Sequence, residues 1–173
     1  MRKLIIVEGP DRCGKTTLAK HIVDRHDGVL IHASGYWTLH GAMQEYHTNL
    51  LDIAESALDH GHCVVMDRHW PSEAVYGGIL RPNHHGHLNY LTSQMRQRIM
   101  RLGGIYVFCH SPAAITRQKM DQDPTHPYED GVFSKIIEEY ACLQNVITDG
   151  RVVKYCLEDN GSDLQKFCDL NDL

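Results

Sequence analysis

Short runs of consecutive apolar residues punctuate the chain at Leu4-Ile5-Ile6-Val7, Val29-Leu30-Ile31, Cys63-Val64-Val65-Met66 and Ile105-Tyr106-Val107-Phe108. Their length and β-branched content predict strands covered on both faces, unlike the alternating strands of a sheet with one wet face. Val152-Val153 suggests a fifth strand. Between these runs the period changes to that of a helix. Residues 15–24 put Leu18, Ile22 and Val23 on one side. Leu50, Leu51, Ala54, Ala57 and Leu58 share one face of a long helix stopped at Gly61, and Leu91, Met95 and Ile99 step by four through 89–102 before Gly103-Gly104. Ser111-Pro112 reads as an N-cap followed by proline at the first helical position. Phe133, Ile136, Ile137, Tyr140 and Leu143 form another stripe, and 164–170 predict a terminal helix. Residues 121–131, DQDPTHPYEDG, carry two prolines and little apolar content, so they predict a mobile loop between helices. The alternation implies an α/β fold: a parallel sheet with helices on both faces and right-handed crossovers.

Composition narrows this picture only modestly. The 173 residues are 42% hydrophobic and 23% charged, which suits one conventional domain spanning 1–173. A formal net charge of −5 offers no field for a nucleic-acid backbone or an anionic membrane. The first apolar run ends at Glu8, too short for a signal-peptide core or a membrane span, so a cytoplasmic protein is expected. Six cysteines without a CxxC pair point to reduced thiols. His84, His85 and His87 follow Arg81-Pro82-Asn83 with no acid or cysteine beside them, and are expected in a solvated loop, not around a metal.

The candidate chemistry begins at Gly9-Pro10-Asp11-Arg12-Cys13-Gly14-Lys15-Thr16, which fits GxxxxGK[ST] and lies between a predicted strand and a predicted helix. In that context glycines let backbone amides close around phosphate oxygens, the helix offers its positive N-terminus, Lys15 adds a mobile charge, and Thr16 can hold Mg²⁺. A nucleoside-triphosphate site is therefore predicted. Cys13 lies beside Lys15 at a helix N-terminus, a setting that lowers a thiol pKa and predicts reactivity toward alkylating reagents. Asp67-Arg68-His69-Trp70-Pro71-Ser72 follows the third strand. Ligands of open parallel sheets bind outside the carboxyl ends of the strands, so Asp67 and Arg68 should share the edge that carries the phosphate loop. Asp67 can reach a metal through water, and Arg68 has a fork for two phosphate oxygens. Arg117 and Lys119 precede the proline-containing loop, and that segment, about 117–131, is suited to act as a lid that excludes water.

These motifs resemble the thymidylate kinase family of nucleoside monophosphate kinases. The resemblance rests on EGPDRCGKTT at 8–17, on ALDHGHCVVMDRHWPSEAVYGG at 57–78 with its DRHxxSxxxY core, and on the helix around Tyr140. It implies a three-layer P-loop kinase fold with a five-stranded parallel sheet and a short lid. It implies that Gly9, Pro10, Asp11, Arg12, Cys13, Gly14, Lys15, Thr16 and Thr17, with Arg117, surround the ATP phosphates, that Thr16 and Asp67 serve Mg²⁺, and that Arg68 grips the acceptor phosphate. Asp11 would approach the acceptor sugar's 3′-hydroxyl, Arg12 would neutralise charge during transfer, and Ser72 and Tyr76 would line the acceptor site. A homodimer follows from the same likeness.

One departure concerns the base. Family members place an aromatic residue, and four positions later an arginine, in the helix before the ALxxG stop; here those positions hold Ala42 and Tyr46. Tyr46 offers a face and a hydroxyl but no cationic fork, which favours an acceptor base other than thymine, or an enlarged pyrimidine. The expected reaction is ATP-dependent phosphoryl transfer to a (deoxy)nucleoside 5′-monophosphate. The alternatives are a kinase of a nucleoside or of 5-hydroxymethyluracil in DNA and, further off, a nucleotide switch without catalysis.

Overall fold

Along β1 (Lys3–Glu8) Leu4 and Ile6 point to one face of the sheet and Ile5 and Val7 to the other, and all four are fully buried, as a strand sandwiched between helices requires. The structure is a computed structural model that describes residues 2–33, 43–80, 85–112, 115–116, 131–147, 150–160 and 163–173. β2 (Val29–His32), β3 (Cys63–Asp67), β4 (Ile105–His110) and β5 (Arg151–Cys156) complete a five-stranded sheet in the order β2-β3-β1-β4-β5. All its pairings are parallel. The register sets Val7 opposite Asp67 and His32 opposite Asp67 from the other side, so the residues that leave the strands emerge at one edge.

Each face has its own core. On one, Leu4, Ile6, Val64 and Met66 pack with the helices α2 (Met43–Asp59), α5 (His85–Arg101) and α6 (Val132–Val146), through Leu51, Ile99 and Ile136 among others. On the other, Ile5, Val7, Val65 and Val107 pack with α1 (Lys15–His26) and α8 (Leu164–Asn171), through Leu18, Ile22 and Phe167. Burying each such side chain contributes roughly 1.5–3 kcal/mol, and together they hold the loops at the carboxyl edge on a rigid base. A short α7 (Leu157–Asn160) follows β5.

After β3 the chain winds through α3 (Trp70–Ser72), a π-helical turn at Glu73–Gly77 and α4 (Gly78–Leu80). Trp70 anchors this stretch: it is buried and donates its indole N–H to Tyr106 OH at 3.0 Å. The π turn, a form often met at functional sites, follows directly on Ser72 and includes Tyr76. The structure corrects two expectations about extent. His85 and His87 belong to α5 and not to a loop, because a helix fixed by its Met95/Ile99 stripe propagates toward its N-terminus, while His84 lies outside the described residues. β5 runs for six residues where two were predicted, since Arg151 and Lys154 interrupt its apolar signal. Residues 117–130, with Arg117, Lys119 and the expected lid, lie outside the described residues, as does Ala42. Among the described residues no helix is long and apolar enough to cross a membrane.

Candidate active site at the carboxyl edge of the sheet

Gly9 has φ +140°, and a Cβ there would stand 2.2 Å from the Cys109 carbonyl oxygen, so only glycine lets the loop leave β1 against β4. The loop ends at Gly14 (φ +87°), and Lys15 opens α1. The Pro10 carbonyl is the loop's internal anchor. It accepts from the Lys15 ammonium and, at 2.9 Å, from the Cys13 thiol. Cys13 packs toward the sheet beside Cys109. A hydrogen bond from Cys109, aided by the Lys15 and Arg68 charges, lowers its thiol to about 6 although burial opposes this. The side chain is only 1% exposed and faces the core, which works against the reactivity expected toward alkylating reagents. Arg12 and Thr17 are exposed, and Arg12 takes a left-handed conformation at φ +66°.

Arg68 stands at the centre of the second constellation. Its backbone is also left-handed, φ +74°, with its N–H bonded to the Val7 carbonyl at 3.0 Å. Nη1 faces the Gly9 carbonyl at 3.1 Å and the hydroxyls of Ser72 and Tyr140, each at 2.9 Å. Nη2 donates to Asp11 Oδ1 and to Tyr76 OH at 3.3 Å, and the guanidinium carbon lies 5.0 Å from the Tyr76 ring centre. One side chain thus joins the phosphate loop, the π-helical stretch and α6. Burial works against its charge, but Tyr140, Tyr76, Asp11 and Glu8 outweigh that and hold the guanidinium well above its ordinary value.

Beneath Arg68 lies Glu8, with no exposed surface. Its carboxylate accepts from the His69 backbone N–H and the Ser72 hydroxyl, both at 2.6 Å, and from Tyr140 OH at 3.4 Å. Burial raises its pKa to about 7 against the opposing pull of Arg68. Sequence reasoning did not assign Glu8, though a lone acid ending an otherwise apolar strand is a readable signal.

Asp67, the neighbour of Arg68, is 1% exposed. Its Oδ2 accepts from the Thr16 hydroxyl at 2.8 Å and faces His32 Nδ1 at 3.2 Å, while its buried Oδ1 has no hydrogen-bond partner. A carboxylate with an orphaned oxygen beside a phosphate-loop threonine has the donor chemistry a hard divalent cation takes, so these residues fit Mg²⁺. Further along the edge, Tyr46 is half-buried on α2, with its ring edge-on to His47 at 5.4 Å between centroids. His47 meets His69 at 4.8 Å, and His69 Nε2 lies 3.1 Å from the His47 carbonyl. Burial lowers His47 to about 4 and His69 to about 3, so both rings are neutral at physiological pH. No sequence signal singled out this pair.

The fold of the chain is similar to that of several solved structures. The YorR protein of Bacillus subtilis, crystallised in complex with phosphorylated GDP, superposes with a TM-score of 0.76 at 18% identity, covering 99% of this chain and 96% of that one. Thymidylate kinase from Ehrlichia chaffeensis matches with a TM-score of 0.64 at 12% identity over 99% of both chains. The fold is thymidylate-kinase-like. Thymidylate kinase from Candida albicans matches at 0.60 and 14% identity, covering 98% of this chain and 92% of that one. No family model and no curated protein matches the sequence.

Proposed function

We propose that residues 1–173 act as one phosphotransfer domain that moves the γ-phosphoryl group of ATP onto a (deoxy)nucleoside 5′-monophosphate. The observation that carries this reading is the Arg68 cluster: a buried cation tied at once to the phosphate loop through Gly9 and Asp11 and to the opposite wall through Ser72, Tyr76 and Tyr140. Transfer of a phosphoryl group needs little covalent work from the protein, and its barrier falls through positioning and charge stabilisation. A switch protein needs neither an acceptor cation nor its supporting wall.

In this reading the loop amides and Lys15 hold the donor phosphates, and the ammonium exchanges the Pro10 carbonyl for phosphate oxygens. Arg68 receives the acceptor phosphate on Nη2, where the incoming dianion competes with Asp11. Asp11 is then free to meet the sugar's 3′-hydroxyl. Glu8 and Tyr140 hold the guanidinium from behind, so its direction is set before substrate arrives. Thr16 and Asp67 would hold Mg²⁺, which when bound neutralises charge on the phosphates. Arg12, exposed at the loop, and Arg117 are the candidate neutralising cations. Ser72, Tyr76 and Tyr46 line the acceptor side. YorR was crystallised with a phosphorylated guanine nucleotide, which supports including purines among the acceptors. The reading also carries a homodimer, which sedimentation equilibrium tests.

The deciding experiment is ADP release with ATP and Mg²⁺ across ribo- and deoxynucleoside monophosphates of all bases, free nucleosides, and DNA containing 5-hydroxymethyluracil. Diphosphate product in a monophosphate lane is expected. Product only in a nucleoside or DNA lane would move the acceptor to the alternative class, and ATP binding without product in any lane would leave a nucleotide switch.

A further inference from the structure

Among the described residues no group of three or more His, Cys, Asp or Glu is placed to hold a metal, so a cation at Asp67 would complete its shell with water or nucleotide phosphates. The protein's share of that shell is larger than the sequence suggested. His32 ends β2 directly opposite Asp67 in the parallel register, and its Nδ1 lies 3.2 Å from Asp67 Oδ2. Thr16 Oγ1 approaches the same oxygen to 2.8 Å from α1. Adjacent donors around an octahedral ion with bonds near 2.1 Å stand about 3 Å apart. Both spacings at Asp67 match that edge, and they come from three separate elements brought together only by the fold.

We propose that His32 is a nitrogen donor of the metal site, joining Thr16 and Asp67 so that the protein binds Mn²⁺ in preference to Mg²⁺ when a nucleotide is present. This rests on the nucleotide-site reading above and goes beyond it by changing the class of cation. Mg²⁺ favours an all-oxygen shell and sheds water reluctantly, whereas imidazole suits the first-row transition ions. The His32 side chain is 59% exposed, so its ring is open to an incoming complex, unlike the buried imidazoles of His47 and His69. The orphaned Asp67 Oδ1 leaves the carboxylate with bonding capacity that the protein does not fill.

The test uses Mn²⁺ with excess ADP, which is paramagnetic and needs no turnover. Electron spin-echo spectra of the wild-type complex should show modulation from a directly coordinated imidazole nitrogen. Labelling only the histidines with ¹⁵N should change that pattern without any mutation and separates the ring from the adenine nitrogens. His32→Ala should abolish the modulation and weaken Mn²⁺ binding about tenfold, while Mg²⁺ affinity, read by competition, changes less than about threefold. Wild-type spectra without histidine modulation, or modulation that survives in His32→Ala, would overturn the role of His32 and leave the nucleotide site standing. No ternary Mn²⁺–ADP complex in the wild type would overturn both.

Discussion

Asp67 and Arg68 are consecutive residues at one strand end, yet their surroundings are built in opposite ways. Around Arg68 the guanidinium meets two carbonyl or carboxylate groups and three hydroxyls, and it sits above a buried Glu8 that is itself satisfied by His69, Ser72 and Tyr140. Around Asp67 one oxygen meets Thr16 and His32 and the other meets nothing. The first region is complete without a ligand and the second is not. A network in which each member is paired fixes direction at little reorganisation cost, whereas an unfilled buried oxygen keeps capacity for a cation. In the proposed reading, positioning and chemistry are thus divided between neighbours.

The largest effect is expected at Lys15, which in the proposed reading serves the transferring phosphoryl and whose ammonium bonds only within its own loop, to the Pro10 carbonyl and the Cys13 sulfur. Lys15→Ala should lower kcat on the order of 10³-fold or more with an unchanged melting curve. Unchanged turnover would remove the phosphate-loop reading. Next come the two neighbours, where the comparison can be broken directly. Arg68→Ala strips a common partner from Asp11, Ser72, Tyr76 and Tyr140 and leaves Glu8 without its nearest cation, and it should cost about 3 kcal/mol of folding stability as well as acceptor affinity. Asp67→Asn should leave stability within about 1 kcal/mol and remove metal-dependent turnover. Denaturant melts and acceptor titrations of both variants read this out. If the melts show equal losses, the two regions do not differ in the way argued.

A third, smaller effect is expected from pH. His47 at about 4 and His69 at about 3 stay neutral in the fold, whereas the unfolded chain takes up those protons near pH 6.5. Their contribution is complete above pH 6.5 and is lost as pH falls toward 4 and 3. Glu8, raised to about 7, has the reverse sign: it favours the folded state below its unfolded value of 4.5, and that advantage is lost as pH rises through 7. From pH 7 to pH 5 the two imidazoles cost about 2 kcal/mol each and Glu8 returns about 2, a net loss of roughly 2 kcal/mol. Urea midpoints should fall accordingly, steepen in Glu8→Gln and flatten in His47→Phe. A wild-type midpoint that holds steady or rises over that range contradicts the neutral buried pair.

The parts of this molecule that were legible in the sequence are those whose physics is local. A glycine turn between an apolar run and a helix, and an Asp-Arg pair ending another run, declare themselves within a few residues, and the four apolar runs were enough to derive the parallel sheet. The Glu8 to Tyr140 and Trp70 to Tyr106 contacts span 132 and 36 residues, so no periodicity announces them. His32, His47 and His69 were unremarkable among thirteen histidines, because what distinguishes them is the neighbour the fold supplies. The π turn at Glu73–Gly77 was likewise invisible: its residues suit an ordinary helix.

Tyr46 offers the smallest effect and the finest test, because in the proposed reading it would touch recognition of the base and not the phosphate chemistry. Its ring leans edge-on against His47, His47 against His69, and His69 donates its backbone N–H to Glu8, so the proposed acceptor wall would be continuous with the Arg68 cluster. A side chain in such a wall shifts the choice among acceptors while leaving turnover of the best one nearly intact. If Tyr46 stands where related kinases carry an arginine, the fork that would read a thymine carbonyl is missing, and thymidylate should not be the best acceptor. Tyr46→Arg should then raise kcat/KM for thymidylate relative to deoxyguanylate and deoxycytidylate by about tenfold, or about 1.4 kcal/mol of transition-state discrimination. The comparison requires all three acceptors in both proteins, since a uniform change in kcat/KM would report a loosened wall and not a new contact. A wild type that already prefers thymidylate tenfold would refute the base argument, and the phosphate loop and Arg68 would still account for transfer.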